Sequence, residues 1–149
     1  IERLELMRSE IGTEEVRLKN YDKIPKTGMV ELDKKIVQVY DGVSYKASGN
    51  QNKIRAVSTY KYFIDMKKHF EEAYAVLKPN GAYCFVIGDN NICKVPIPTA
   101  KYLIEIAEDV GFKKKVNFEV LLKNRTLNLP RNVNWSGHIK TDKVVVFKK

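Results

Sequence analysis

The chain has 149 residues, 44% of them hydrophobic, so one domain is the default and a packed core is within reach. Lys and Arg total 27 against 18 Asp and Glu, a net charge of +9; the lysines are spread along the chain, which favours a polyanionic partner over the alternative of a lysine-rich organism whose proteins are all basic. No apolar stretch approaches the roughly 18–20 residues of a membrane span, the start lacks a basic-then-apolar signal pattern, and the two cysteines, Cys84 and Cys93, suit a reduced compartment, so the sequence reads as soluble and cytoplasmic.

The sequence opens on Ile1 rather than Met, in what already reads as the middle of a helix, and is therefore expected to be a fragment. Leu4, Met7 and Ile11 recur at three and four residues, one face of a helix. Thr13 is placed to cap a second short helix through Glu14, Glu15 and Val16. Residues 20–28, with Pro25 and Gly28, read as a loop. Leu32, Ile36, Val39 and Tyr40 give another helical stripe, ending at Gly42. Residues 43–55 (VSYKASGNQNKIR) carry little to bury and are expected to be a mobile basic loop. A division at residue 57 follows, with a helical insertion and this loop before it.

The remainder is more regular. Ser58 or Thr59 is placed to cap a long helix with the stripe Phe63, Met66, Phe70, Ala73, Tyr74 and Leu77, stopped by Pro79 and Gly81. Residues 82–88 (AYCFVIG) run apolar without alternation, the pattern of a strand covered on both faces, with Cys84 as an inert core thiol. After a loop over 89–98, Thr99 is placed to cap a helix with the stripe Leu103, Ile106, Ala107 and Val110, closed by Gly111. Val116, Phe118, Val120 and Leu122 alternate as in a strand, and residues 143–148 (KVVVFK) form the last one. The expected class is α/β.

The order helix, strand, helix, strand, loop, strand resembles the C-terminal half of a Rossmann-like class I methyltransferase sheet, whose last strand is inserted antiparallel beside the others. Leu77-Lys78-Pro79-Asn80-Gly81 looks like the Leu-Lys-Pro-Gly-Gly turn before the fifth strand of such enzymes, with Asn80 in place of the first Gly; Asn also tolerates a left-handed turn. Its company is narrower: Tyr62-Phe63 and Asp65-Met66, then Gly88-Asp89-Asn90, Ile97-Pro98-Thr99, Gly111-Phe112, Asn124-Arg125 and Val144-Val145-Val146-Phe147-Lys148. Together these resemble DNA methylases that modify the exocyclic amine of adenine or cytosine. Residues 1–13 also look like the helix and turn after that family's catalytic loop. The resemblance is strong over 59–125 and weak over 20–55.

The departures matter as much. The family holds S-adenosylmethionine on a Phe-x-Gly-x-Gly turn and acts through Asp, Asn or Ser followed by Pro-Pro and an aromatic residue. Neither motif occurs in these residues. The resemblance thus implies a C-terminal methyltransferase half that, alone, neither methylates nor holds the donor strongly, with DNA and the missing N-terminal half as partners.

Candidate site residues follow. Gly88, Asp89 and Asn90 fall at the carboxyl end of the apolar strand, where open α/β sheets place ligands; they either line a pocket for a flipped base or make an ordinary strand-end turn. Asn124, Arg125, Arg131, Trp135 and His138 belong to a loop whose composition suits phosphates, base edges and stacking, unless Trp135 folds back onto a core. Lys46, Lys53 and Arg55 are candidate phosphate contacts, or members of a plain solvated linker. Asp65 reads as an exposed or capping charge. His69 and His138 are far apart and neither lies near a Cys pair, which argues against a metal; no Ser/His or Cys/His arrangement supports a nucleophile. The competing class is a stand-alone basic nucleic-acid-binding module without catalysis.

Overall fold

The computed structural model describes residues 2–122 and 141–149. They form four helices, α1 (Glu2–Ser9), α2 (Val30–Tyr40), α3 (Gln51–Val76) and α4 (Thr99–Val110), and five strands, β1 (Ala82–Gly88), β2 (Asn90–Ile92), β3 (Val95–Ile97), β4 (Lys113–Leu121) and β5 (Thr141–Lys148). The class is mixed α/β with a small antiparallel sheet. Two compact units are present, Ile1–Met66 with Ile92–Val95, and Lys67–Asn91 with Pro96–Lys149, so the division falls inside α3.

In the first unit, the expected α2 stripe is buried: Leu32, Ile36 and Val39 are at most 1% exposed. Three expectations fail. Leu4 and Ile11 are exposed and only Met7 of the α1 stripe is half-buried. No helix follows Thr13: its Oγ1 accepts the Glu15 amide (3.1 Å) and its carbonyl accepts the Ser58 hydroxyl (2.7 Å). A single 3₁₀ turn, Leu18–Asn20, stands in that helix's place. Residues 51–55, expected to be loop, are the first turns of α3, which starts seven residues before Ser58. Ser58 and Thr59 are buried within α3, and Thr59 Oγ1 donates back to the Arg55 carbonyl (2.7 Å).

Buried Asn52 explains that early start. Its Nδ2 donates to the carbonyls of Val39 (2.9 Å) and Tyr45 (2.8 Å), and its Oδ1 accepts the Ala47 amide (2.7 Å). One amide thereby satisfies three backbone groups of α2 and of the segment after it, giving residues 43–50 a defined course that their polarity had argued against.

In the second unit, β5 lies between β1 and β4 and is antiparallel to both. The expected terminal strand pair is thus a triplet in which β1 and β4 run parallel, joined through α4, which packs against both. The register puts Tyr83, Phe85, Val145 and Phe147 on one face, where Phe70 of α3 and Phe112 join them. Phe85 and Phe147 stack at 5.7 Å and Phe70 meets Tyr83 edge-on at 5.8 Å. Phe70, Phe147 and Val145 are fully buried.

Among the described residues the other face is largely exposed, with Val144 and Val146 of the central strand half-buried. Cys84, Val146 and Val116 lie in one row across it, Val86, Val144 and Phe118 in the next. Val86, Val116 and Phe118 are 58%, 48% and 49% exposed, and Cys84 is exposed. This corrects two expectations: β1 is covered on one face only, and Cys84 is no core thiol. An apolar run lacking polar residues is compatible with one covered face when the other awaits a partner or stays bare.

The turn into β1 has a steric origin. Asn80 takes φ 63, the left-handed position that Asn tolerates, and a Cβ on Gly81 would meet Leu77 Cγ and the Lys78 oxygen at 2.7 Å each. At the end of α4, Gly111 has φ 119, unsuited to an L side chain, and lies against the Tyr74 ring. The expected loop over 89–98 contains the β2–β3 hairpin, turned by Cys93 (φ 49) and Lys94 (φ 61).

Candidate functional site

Of the polar residues that sequence reasoning had singled out, those at the end of β1 come together and those of the first unit do not. At the carboxyl end of β1, Asp89 Oδ1 accepts the Ala100 amide in the first turn of α4 (3.1 Å) and its Oδ2 accepts Lys143 Nζ (3.0 Å). The helix is therefore capped from a distance by Asp89. Thr99, expected to cap it, is its first residue after the Pro98 N-cap and donates to the Ile97 carbonyl (3.2 Å). Asn90 Nδ2 donates to Thr99 Oγ1 (3.3 Å).

Lys143 also lies 3.7 Å from Glu119 Oε1. The Asp89 hydrogen bond holds the Lys143 ammonium above the usual lysine range, partial burial works against it, and the charges of Asp89 and Glu119 reinforce it. Chemically the cluster is a fixed carboxylate–ammonium pair at a helix start. Both Asp89 oxygens have partners, while Asn90 is exposed beside them.

In the first unit the three candidate phosphate ligands separate. Arg55 is drawn into an ion pair with Glu14 and lies beside buried Cys93; burial lowers its pKa and the Cys93 charge opposes that. Burial likewise pushes the Cys93 thiol up, with Arg55 pulling it down. Lys46 is exposed. Lys53 reaches over the Tyr40 ring, 5.5 Å from its centroid, and lines an open hollow of about 310 Å³ with Leu18, Lys19, Tyr21, Asp22, Tyr40 and Asn50. Sequence reasoning assigned no site role to these six companions, of which Lys19, Tyr21 and Asp22 carried a signal. Their signal was the basic and aromatic run Lys19-Asn20-Tyr21-Asp22-Lys23, hidden by its position at the edge of a Pro- and Gly-containing loop.

A larger hollow of about 490 Å³ runs along α2, lined by Ile24, Pro25, Val30 and Val37 with Lys26 and Lys34 at its margin. Asp65 pairs with Lys61 one turn away. His69 Nε2 shares a hydrogen bond with the Tyr83 hydroxyl (2.6 Å), whose pKa burial raises. Among the described residues, no three His, Cys, Asp or Glu side chains gather where a metal ion would sit, and no helix is long and apolar enough to cross a membrane. Asn124, Arg125, Arg131, Trp135 and His138 lie outside the described residues. No family model, curated protein or solved structure matches the chain.

Proposed function

We propose that the chain is the C-terminal part of an S-adenosylmethionine-dependent DNA amino-methyltransferase, contributing the second half of its sheet and part of its DNA-facing surface. The observation that carries this is the β1-β5-β4 sheet. Its last strand is antiparallel to its neighbours, which is compatible with the resemblance, and among the described residues much of one apolar face is exposed. Sheets bury their apolar faces against a second layer. In this proposal the missing layer and the donor-binding and catalytic motifs belong to a segment that these residues do not include.

Several features support a role of the strand end in that enzyme. Gly88, Asp89 and Asn90 lie at the carboxyl edge of β1, the side where open α/β sheets receive ligands. Asp89 is occupied by α4 and Lys143, which leaves exposed Asn90 as the group able to meet a base extruded from DNA. Lys143 and Asp89 then act as positioning residues that hold the strand end against α4.

The coding sequence upstream of Ile1 tests the proposal. It should carry a Phe-x-Gly-x-Gly turn and a Pro-Pro-aromatic loop, and the extended protein should transfer labelled methyl groups to DNA amines while the present chain does not. A coding sequence without both motifs overturns it. The net charge of +9 favours a second reading, a binding module without catalysis, which requires tight and steeply salt-dependent DNA binding by this chain alone.

A further inference from the structure

The cavity of the first unit has a chemical character of its own. It is built by three separate stretches: Leu18, Lys19, Tyr21 and Asp22 from the 3₁₀ turn and the residues after it, Tyr40 from the end of α2, and Asn50 and Lys53 on either side of the start of α3. Asn52 fastens two of them together, because its amide bonds the carbonyl of Val39, next to Tyr40, from the residue next to Lys53. Tyr40 and Lys53 are thereby set side by side by buried hydrogen bonds, not by their own attraction alone, and the ammonium lies over the ring.

Its volume of about 310 Å³ is at the lower end of small-molecule sites. Two tyrosine rings border the hollow, that of Tyr40 with the Lys53 ammonium over it, and two ammonium groups offer charge for an anion. A carboxylate and an amide offer an acceptor and a donor–acceptor pair. A flat, hydrogen-bonding ring joined to a phosphate uses all of them: rings stack on tyrosine, lysines hold phosphate, and Asp22 and Asn50 meet the amino and acceptor groups of a base edge. A divalent cation would find one carboxylate opposed by two lysines, and an aliphatic ligand would make no use of the four exposed polar groups, Lys19, Asp22, Asn50 and Lys53.

We infer that this cavity binds one nucleotide, a nucleobase carrying a phosphate, taken either free or as one unit of a single strand. The site stands apart from the methyl-transfer proposal, since every residue in it belongs to the first unit and none to the β1 strand end.

Calorimetric titration of the whole chain with deoxyadenosine monophosphate, deoxyadenosine and a six-residue deoxyadenosine strand tests it. Saturable binding of the monophosphate, with deoxyadenosine clearly weaker, is expected. Lys53→Gln and Lys19→Gln should each weaken it by about fivefold to tenfold, the scale of one lost charge-assisted contact, with unchanged circular dichroism. Lys101→Gln, the same change of charge on α4, should leave it unaltered. A strand that binds more tightly than the monophosphate, and is equally sensitive to Lys53→Gln, identifies the site as one for single-stranded nucleic acid; a monophosphate that binds as well or better identifies a free nucleotide. Absence of saturable binding by both at millimolar concentration overturns the inference, as does equal binding of deoxyadenosine and its monophosphate, or binding that both lysine variants leave unmoved.

Discussion

Lys143 and Asp89, 54 positions apart, are joined by a 3.0 Å hydrogen bond that ties the start of β5 to the end of β1, while the second Asp89 oxygen holds the first turn of α4. Asp89→Ala should lower stability by about 1–2 kcal/mol, mostly through the lost helix cap, since the ion pair is partly exposed and screened. Because Asp89 raises the Lys143 pKa, the pair's contribution is complete below the ordinary lysine value of 10.5 and fades as pH rises through the higher folded value. Burial also raises Tyr83 and Tyr60, whose ionisation weakens the fold in the same alkaline range in either protein. The difference in denaturant midpoint between wild type and Asp89→Ala should therefore be constant through neutral pH and shrink above that value; a difference that grows there contradicts the pairing.

The two thiols should respond in opposite ways. Cys84 is exposed on the open face of the sheet and Cys93 is 1% exposed with its pKa pushed up by burial. A maleimide at neutral pH should modify Cys84 quickly, and Cys93 only at the rate at which the chain unfolds. Mass spectrometry of the modified peptides reads this directly. In the extended enzyme proposed above, Cys84 should become protected.

Gly81→Ala forces a methyl group to within 2.7 Å of Leu77 Cγ and the Lys78 carbonyl. Overpacking of this kind costs about 1–3 kcal/mol. Thermal unfolding should show the loss, and an unchanged midpoint would mean that the turn before β1 yields more readily than its geometry implies.

Asn52→Ala removes three hydrogen bonds and strands the Tyr45 carbonyl and the Ala47 amide, whereas the Val39 carbonyl keeps the Gly42 amide (3.1 Å). A loss of roughly 2–4 kcal/mol is expected, at about 1 kcal/mol per bond plus the desolvated partners left behind. Amide hydrogen exchange should quicken first in residues 43–50 and the opening turns of α3, ahead of α4.

On the bare face, Phe118→Ser replaces a side chain that is 49% exposed, so its effect on unfolding should stay within about 1 kcal/mol. Binding of a hydrophobic dye and self-association at high concentration should both fall. A large loss of stability would show instead that Phe118 is packed in the monomer.

How much of this was written in the sequence differs from element to element. The α2 stripe of Leu32, Ile36 and Val39, and the α4 stripe of Leu103, Ile106 and Ala107 closed by Gly111, were legible because an amphipathic period is local and each residue's neighbours lie within one or two turns. Strands β1, β4 and β5 were legible for the same reason, whereas the β2–β3 hairpin lay inside the expected loop over 89–98. The start of α3 was not, because Asn52 looks like loop chemistry until the Val39 and Tyr45 carbonyls are placed beside it.

Only the tertiary structure decided which faces are covered. The run from Ala82 to Gly88 is apolar whether one or both sides are packed, and the bare face holding Cys84, Val86 and Phe118 emerges only once β5 is inserted between β1 and β4. The same holds for Asp89, whose partners Ala100 and Lys143 lie 11 and 54 positions away, and for Tyr40 and Lys53, brought together by an amide between them in space. Periodicity reports what a segment is able to bury. What it does bury depends on which distant segment arrives, and that is set by long-range pairing that no local pattern encodes.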